Sequence, residues 1–152
     1  MPSQSYSATI GVPAETVWEL LVDIESWPRW LHVPYASESV AVVSTGPIAE
    51  GTEFILRGRL SFRLFARVTQ LEEMRIFAFE IHRSEYPSDR LLFKRASIAL
   101  KLGEANDGET RVTCTHWIEG KGRLGQLYMA TAFRPFLIFN VRRIVRSLAQ
   151  SA

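Results

Sequence analysis

The sequence predicts an α+β domain in which a curved, mainly antiparallel seven-stranded sheet wraps around a long C-terminal helix, with two short helices after the first strand. Three observations predict it. Between residues 38 and 119 apolar side chains recur with period two in six stretches, with turn residues between them and no helical stretch. The segment after Gly120 switches to helical spacing and is apolar almost all round between Phe133 and Phe139, as a helix buried on more than one side would be. A short strand followed by helix-start signals opens the chain.

The first strand is read at 5–10, where small polar and apolar residues alternate up to Gly11. Pro13 suits a first helical position and Glu15 a first turn, and Val17, Trp18, Leu21 and Ile24 share one helical face. Trp27-Pro28-Arg29-Trp30 then forces a break or a second short helix, because proline lacks the amide and restricts its predecessor. The tryptophans Trp18, Trp27 and Trp30 are expected to pack the short helices onto the sheet.

The six later strands are expected at 38–45, 52–60, 64–71, 76–83, 91–102 and 110–119, with turns at Gly46-Pro47, Pro87-Ser88-Asp89 and Asn106-Asp107-Gly108. Strand following strand implies antiparallel pairing. Alternation puts Leu56, Gly58 and Leu60 on one face with Leu64, Ala66 and Val68, which requires an odd-numbered connecting loop. Arg57, Arg59 and Arg67 then face the other way, with Glu80 opposite or near Arg67 as a surface pair. The last segment, 122–150, is expected to be one helix kinked at Pro135. One stripe holds Leu124, Leu127, Tyr128, Thr131, Pro135, Ile138 and Phe139, and another holds Phe133, Leu137, Val141, Ile144 and Leu148.

The 152 residues fit one domain over 1–152, enough to bury roughly 68–70% of the unfolded surface. No run of about 18 uncharged apolar residues exists, so a transmembrane segment is not expected, and Met1 to Ile10 lacks the basic-then-apolar layout of a secretion signal. A cytoplasmic protein is expected. Cys114 is the sole cysteine, and His32, His82 and His116 have no metal-ligand spacing, so neither a metal nor another cofactor is expected. Charge is segregated. Before Glu53 the only basic residue is Arg29, among six acidic ones, whereas after Gly120 Lys121, Arg123, Arg134, Arg142, Arg143 and Arg146 stand with no acidic residue. Such a segment either offsets a helix's negative end or contacts an anionic partner. Nucleic acid is the least expected partner, because basic and aromatic residues are not interleaved as in a single-strand groove.

The order strand, two short helices, six strands and long C-terminal helix resembles the helix-grip fold of the START and polyketide cyclase (SRPBCC) superfamily, which includes the birch pollen allergen type. The residues that carry the resemblance run from Val12-Pro13-Ala14-Glu15-Thr16-Val17-Trp18-Glu19-Leu20-Leu21, Asp23 and Trp27-Pro28-Arg29-Trp30 to Gly51-Thr52-Glu53-Phe54. They continue in Arg67-Val68-Thr69-Gln70-Leu71-Glu72, Phe77-Ala78-Phe79-Glu80 and Asp107-Gly108-Glu109-Thr110-Arg111-Val112-Thr113. The resemblance implies a cavity between the concave sheet face and the C-terminal helix, used by relatives for lipids, polyketides, hormones and other apolar ligands.

Two functions follow as expectations. The first is binding or transport of a small hydrophobic molecule in a cavity lined by Phe54, Leu56, Phe77, Phe79, Ile98, Cys114, His116, Tyr128 and Phe136, with Arg83 at its mouth for a ligand carboxylate. His116 shares the inward parity of Val112, Cys114 and Ile118, and Tyr128 lies on the first stripe of the final helix, which is expected to line the pocket. The alternative is a polyketide cyclase or dehydratase using the same cavity. His116 would act as acid or base, because its ordinary pKa of about 6.5 lies near working pH, and Tyr128 or Arg83 would polarise a carbonyl. Trp117, on the opposite parity to His116, would mark a homodimer or partner surface if exposed, and the basic C-terminal helix a membrane-surface contact.

Overall fold

In the computed structural model, which describes residues 2–152, seven strands form one antiparallel sheet in the order β1-β7-β6-β5-β4-β3-β2. The strands are β1 (Ser3–Ile10), β2 (Ser39–Val42), β3 (Glu53–Arg57), β4 (Arg63–Glu72), β5 (Ile76–Ser84), β6 (Phe93–Glu104) and β7 (Thr110–Gly120). The helices are α1 (Ala14–Val22), α2 (Trp27–Trp30), α3 (Asp89–Leu92), α4 (Gly122–Ala130) and α5 (Arg134–Ser151). Sequence neighbours pair across β2 to β7, and β1 closes the far edge on β7, so the ladder follows chain order except for that one return.

The expected register holds where the strands are regular. Leu56 stands opposite Leu64 and Phe54 opposite Ala66, all buried, and Arg67 lies opposite Glu80 on the outer face. Residues 58–62 form the odd-numbered connection that this facing requires. Leu60 departs from expectation. The chain leaves the sheet at Gly58, and Leu60 and Ser61 each take φ of 61°, which turns the Leu60 side chain out to 84% exposure. Gly58 is pressed against the Pro34 and Tyr35 backbone, where a Cβ would collide, so no side chain fits at that position.

A second departure concerns Arg83. Phe65 pairs with Arg83 but Ala66 pairs with Ile81, so His82 is an extra residue on β5. This bulge reverses the alternation beyond Ile81. Arg83 therefore points away from the core, with its guanidinium 4.7 Å from the Phe65 ring centre on the outer face, and Ser84 turns inward in its place.

The C-terminal segment is two helices and not one kinked helix. α4 ends at Ala130, and the turn over 131–133 leads into α5 with Pro135 in its first turn, where the missing amide breaks no helical bond. α5 buries Leu137, Val141, Ile144, Val145 and Leu148 against the sheet and the short helices. α4 instead leans on the end of β7, with Leu124 and Leu127 exposed at 69% and 61%.

That lean depends on two glycines. A Cβ on Gly120 would overlap the Gly125 carbonyl, and one on Gly125 would lie 2.7 Å from the Leu92 carbonyl oxygen. Gly120→Ala is expected to lower unfolding stability by about 1–3 kcal/mol through overpacking. Gly103→Ala, whose Cβ meets nothing closer than 3.9 Å, should change it by less than about 1 kcal/mol; urea titration of the two variants checks the difference.

Candidate functional site

Three short segments converge on the inner face of the sheet. Trp27, carried by α2, enters the middle of the concavity. Its ring centre lies 5.6, 5.8 and 5.4 Å from those of Phe54, Phe77 and Phe79, and its indole N–H donates to the Leu21 carbonyl at 3.0 Å. This cluster packs the half of the groove between α1, α2 and the centre of the sheet. Trp18 adds an edge contact to Phe77, with ring centres 6.4 Å apart.

Beyond Trp27 the chain runs as a strap, 31–36, across α5. Three α5 side chains hold it: Ser147 Oγ accepts from His32 N–H, Arg143 Nε donates to the His32 carbonyl, and Asn140 Oδ1 accepts from the Tyr35 hydroxyl. Between this strap, the β5–β7 ends and the start of α5 lies a cavity of about 230 Å³. Its walls include Tyr35, Leu64, Ile81, Ile98, Ile118 and Phe136, and its rim carries the exposed Pro34 and Ser88.

His116 is the polar group in the depth of this cavity. Tyr35 O–H donates to Asn140 Oδ1 at 2.9 Å, and Asn140 Nδ2 lies 3.1 Å from His116 Nδ1. The opposite amide orientation would leave the buried Tyr35 hydroxyl proton without an acceptor, so the tyrosine fixes the amide. The amide's N–H then requires Nδ1 to be the unprotonated nitrogen. The ring proton is thereby assigned to Nε2, which makes no hydrogen bond among the described residues and serves as the cavity's free donor. Burial pushes the imidazole pKa down to about 4, so the ring is neutral at working pH. The same burial raises the Tyr35 hydroxyl far above its ordinary value and holds it as a proton donor.

A second polar group sits toward the rim. Asp89, on the cavity wall at the start of α3, accepts a short hydrogen bond from Ser84 Oγ, which itself accepts from Tyr86 N–H. Among the described residues no cation lies within ion-pair distance of Asp89. Burial raises its carboxyl pKa, against the lowering effect of the Ser84 bond. The turn behind it is fixed by a two-pronged Arg63–Glu85 pair, with both N–H···O distances 2.8 Å.

Of the residues the sequence proposed, Ile98, His116 and Phe136 line the cavity. Phe54, Leu56, Phe77 and Phe79 are buried on the concave face but outside the cavity walls; the Phe rings are those that Trp27 packs against. Cys114 is wholly buried under the sheet, its thiol pushed up to about 12 by desolvation. Tyr128 is half-buried on α4, 6.0 Å from the Phe133 ring, and covers that ring from outside. The cavity is therefore lined by Phe133 and Phe136 at the start of the second helix, not by the first stripe. Trp117 is half-buried on the outer face under Arg95, whose guanidinium lies 5.2 Å from its ring centre.

Sequence reasoning missed Tyr35, Asn140 and Asp89. Asn140 had a signal: it falls three residues after Leu137 and four before Ile144, so it occupies the buried stripe as its one amide. Tyr35 and Asp89 lie in irregular segments where periodicity says nothing about facing.

Residues 1–152 match the family model described as "Polyketide cyclase / dehydrase and lipid transport", and the chain belongs to that family. Solved structures of similar fold include a protein of Thermus thermophilus, 17% identical, with TM-score 0.72 over 98% of this chain and 95% of that one. The Zhui aromatase/cyclase from Streptomyces sp. R1128 is 13% identical, with TM-score 0.70 over 98% of this chain and 94% of that one. A START superfamily protein from Mycobacterium smegmatis is 12% identical, with TM-score 0.69 over 97% and 94%. No curated protein matches the sequence. The fold is thus the helix grip shared with these structures, with a cavity at the start of the C-terminal helix.

The buried neutral histidine has a thermodynamic consequence. Its folded pKa is depressed from 6.5 to about 4, so the unfolded chain binds the proton first as pH falls. The associated stability is fully present above the unfolded pKa and drains as pH drops toward the folded one. Unfolding free energy is expected to fall by about 2–3 kcal/mol between about pH 7 and pH 4.5, before most carboxylates titrate. His116→Gln should flatten that limb in urea titrations at each pH.

Proposed function

We propose that the protein binds a small, uncharged, ring-sized apolar molecule carrying a hydrogen-bond acceptor, held with that acceptor on His116 Nε2–H. The observation that carries this reading is the Tyr35–Asn140–His116 chain, which orients one neutral donor in a cavity of about 230 Å³. Size narrows the class. An apolar cavity of roughly 150 Å³ takes up benzene, and typical ligand sites span about 300–1,000 Å³, so this one suits one or two fused rings better than a long acyl chain. The unpaired Asp89 carboxylate near the rim disfavours an anionic ligand such as a fatty acid.

We take the protein to be cytoplasmic; no helix among the described residues is long and apolar enough to cross a membrane. Lipid binding in the family's sense is retained only for compact apolar ligands.

The test is a calorimetric and native mass-spectrometric screen of one- and two-ring ketones beside their hydrocarbon and carboxylate analogues. The ketones should bind, the carboxylates should not, and His116→Phe should weaken ketone binding about tenfold while sparing the hydrocarbon. Ala96→Phe, which fills the cavity from β6, should abolish binding of all of them. Preference for long-chain acids would overturn the reading.

A cyclase or dehydratase activity is the second reading, and one observation favours it. The same cavity wall holds a donor able to polarise a carbonyl, His116, and a carboxylate of raised pKa able to take a proton, Asp89. Under it, Asp89→Asn removes turnover of a poly-β-ketone substrate mimic and leaves its binding intact. Under carriage alone, the wild-type protein returns the mimic unchanged.

A further inference from the structure

We infer that the outer face of α5 docks on an anionic phospholipid surface. Pro135, Ile138, Phe139, Arg142, Arg143 and Arg146 line a shallow groove on that helix, at the spacing of a single helical stripe. Phe139 is 51% exposed, and the Arg143 guanidinium lies 5.4 Å from its ring centre. Arg143 is itself fixed, donating to the His32 carbonyl at 2.7 Å, and Arg142 lies over the Tyr6 ring, so the cations stand on a rigid frame. No acidic residue follows Glu119 in the chain.

Charge complementarity selects the occupant. An all-cationic stripe opposes a second copy of itself across a two-fold axis, because like charges would meet. A nucleic acid strand would need aromatic faces for base stacking, whereas one face of Phe139 is covered by Arg143. Exposed aliphatic and aromatic groups ringed by arginines suit the headgroup region of a bilayer, where apolar groups enter and cations pair with lipid phosphates and acidic headgroups. The inference is independent of what the cavity holds.

Flotation of the protein with vesicles tests it, using phosphatidylcholine alone and phosphatidylcholine with a minor share of phosphatidylglycerol. Binding is expected only to the second. The double variant Arg142→Gln/Arg146→Gln should weaken it about 10- to 30-fold. Phe139→Ser, which removes a half-exposed side chain, should weaken it while lowering thermal melting only slightly. Failure to float with the anionic vesicles would overturn the inference. So would Phe139→Ser binding vesicles as tightly as wild type, tighter binding to a DNA duplex than to the vesicles, or a concentration-dependent dimer that buries Phe139.

Discussion

Everything inside this sheet is arranged around the Trp27 ring. A helix-grip sheet encloses one long groove, and a side chain as large as an indole takes up a fixed stretch of it. Here the indole enters at the level of Phe54, Phe77 and Phe79 and is tied there by its bond to the Leu21 carbonyl. The aromatic ring centres lie 5.4–5.8 Å apart, the range in which tilted and edge-on pairs attract beyond simple burial. The groove is thereby divided into a packed half and an open half, and the open half is small. The size of the cavity is thus limited by a core tryptophan that is not among its lining residues.

The open half gains its polarity from the same local sequence. α2 starts at Trp27 with Pro28 in its first turn and ends at Trp30, and the strap that follows crosses α5 where Asn140, Arg143 and Ser147 present polar atoms to it. The Tyr35–Asn140 bond satisfies two buried polar groups, and the Ser147 and Arg143 bonds tie the strap backbone to the same helix face, so strap and helix fix each other. Tyr35 then orients Asn140, and Asn140 orients His116. The histidine's neutrality follows from burial and its tautomer from the amide, two separate physical causes that give one outcome: a single fixed donor in an apolar space.

Much of this was legible in the sequence, and the misses have physical reasons. The Arg67–Glu80 facing and the inward His116 follow from period-two alternation, which holds as long as a strand has no extra residue. The His82 bulge breaks that condition, and with it the inference about Arg83. Leu60 failed at a turn with left-handed backbone, which leucine's own preferences argue against. Pro135 marked a discontinuity correctly, but proline reads equally as a kink or as a first turn, and only the packing of α4 on Gly120 decides for the latter. Apolar residues such as Phe54 and Phe77 were placed on the concave face correctly. Periodicity cannot say whether such a residue faces empty space or Trp27, since both present an apolar surface.

The central claim is that His116 is a neutral imidazole with its proton on Nε2, held so by Tyr35 through Asn140. Nitrogen-detected NMR of the imidazole rings tests this most directly. The account predicts for His116 a protonated Nε2 and an unprotonated Nδ1 down to near its pKa of about 4, with the Nδ1 signal altered in the Tyr35→Phe variant. A proton on Nδ1, or titration near the ordinary value of about 6.5, would contradict it.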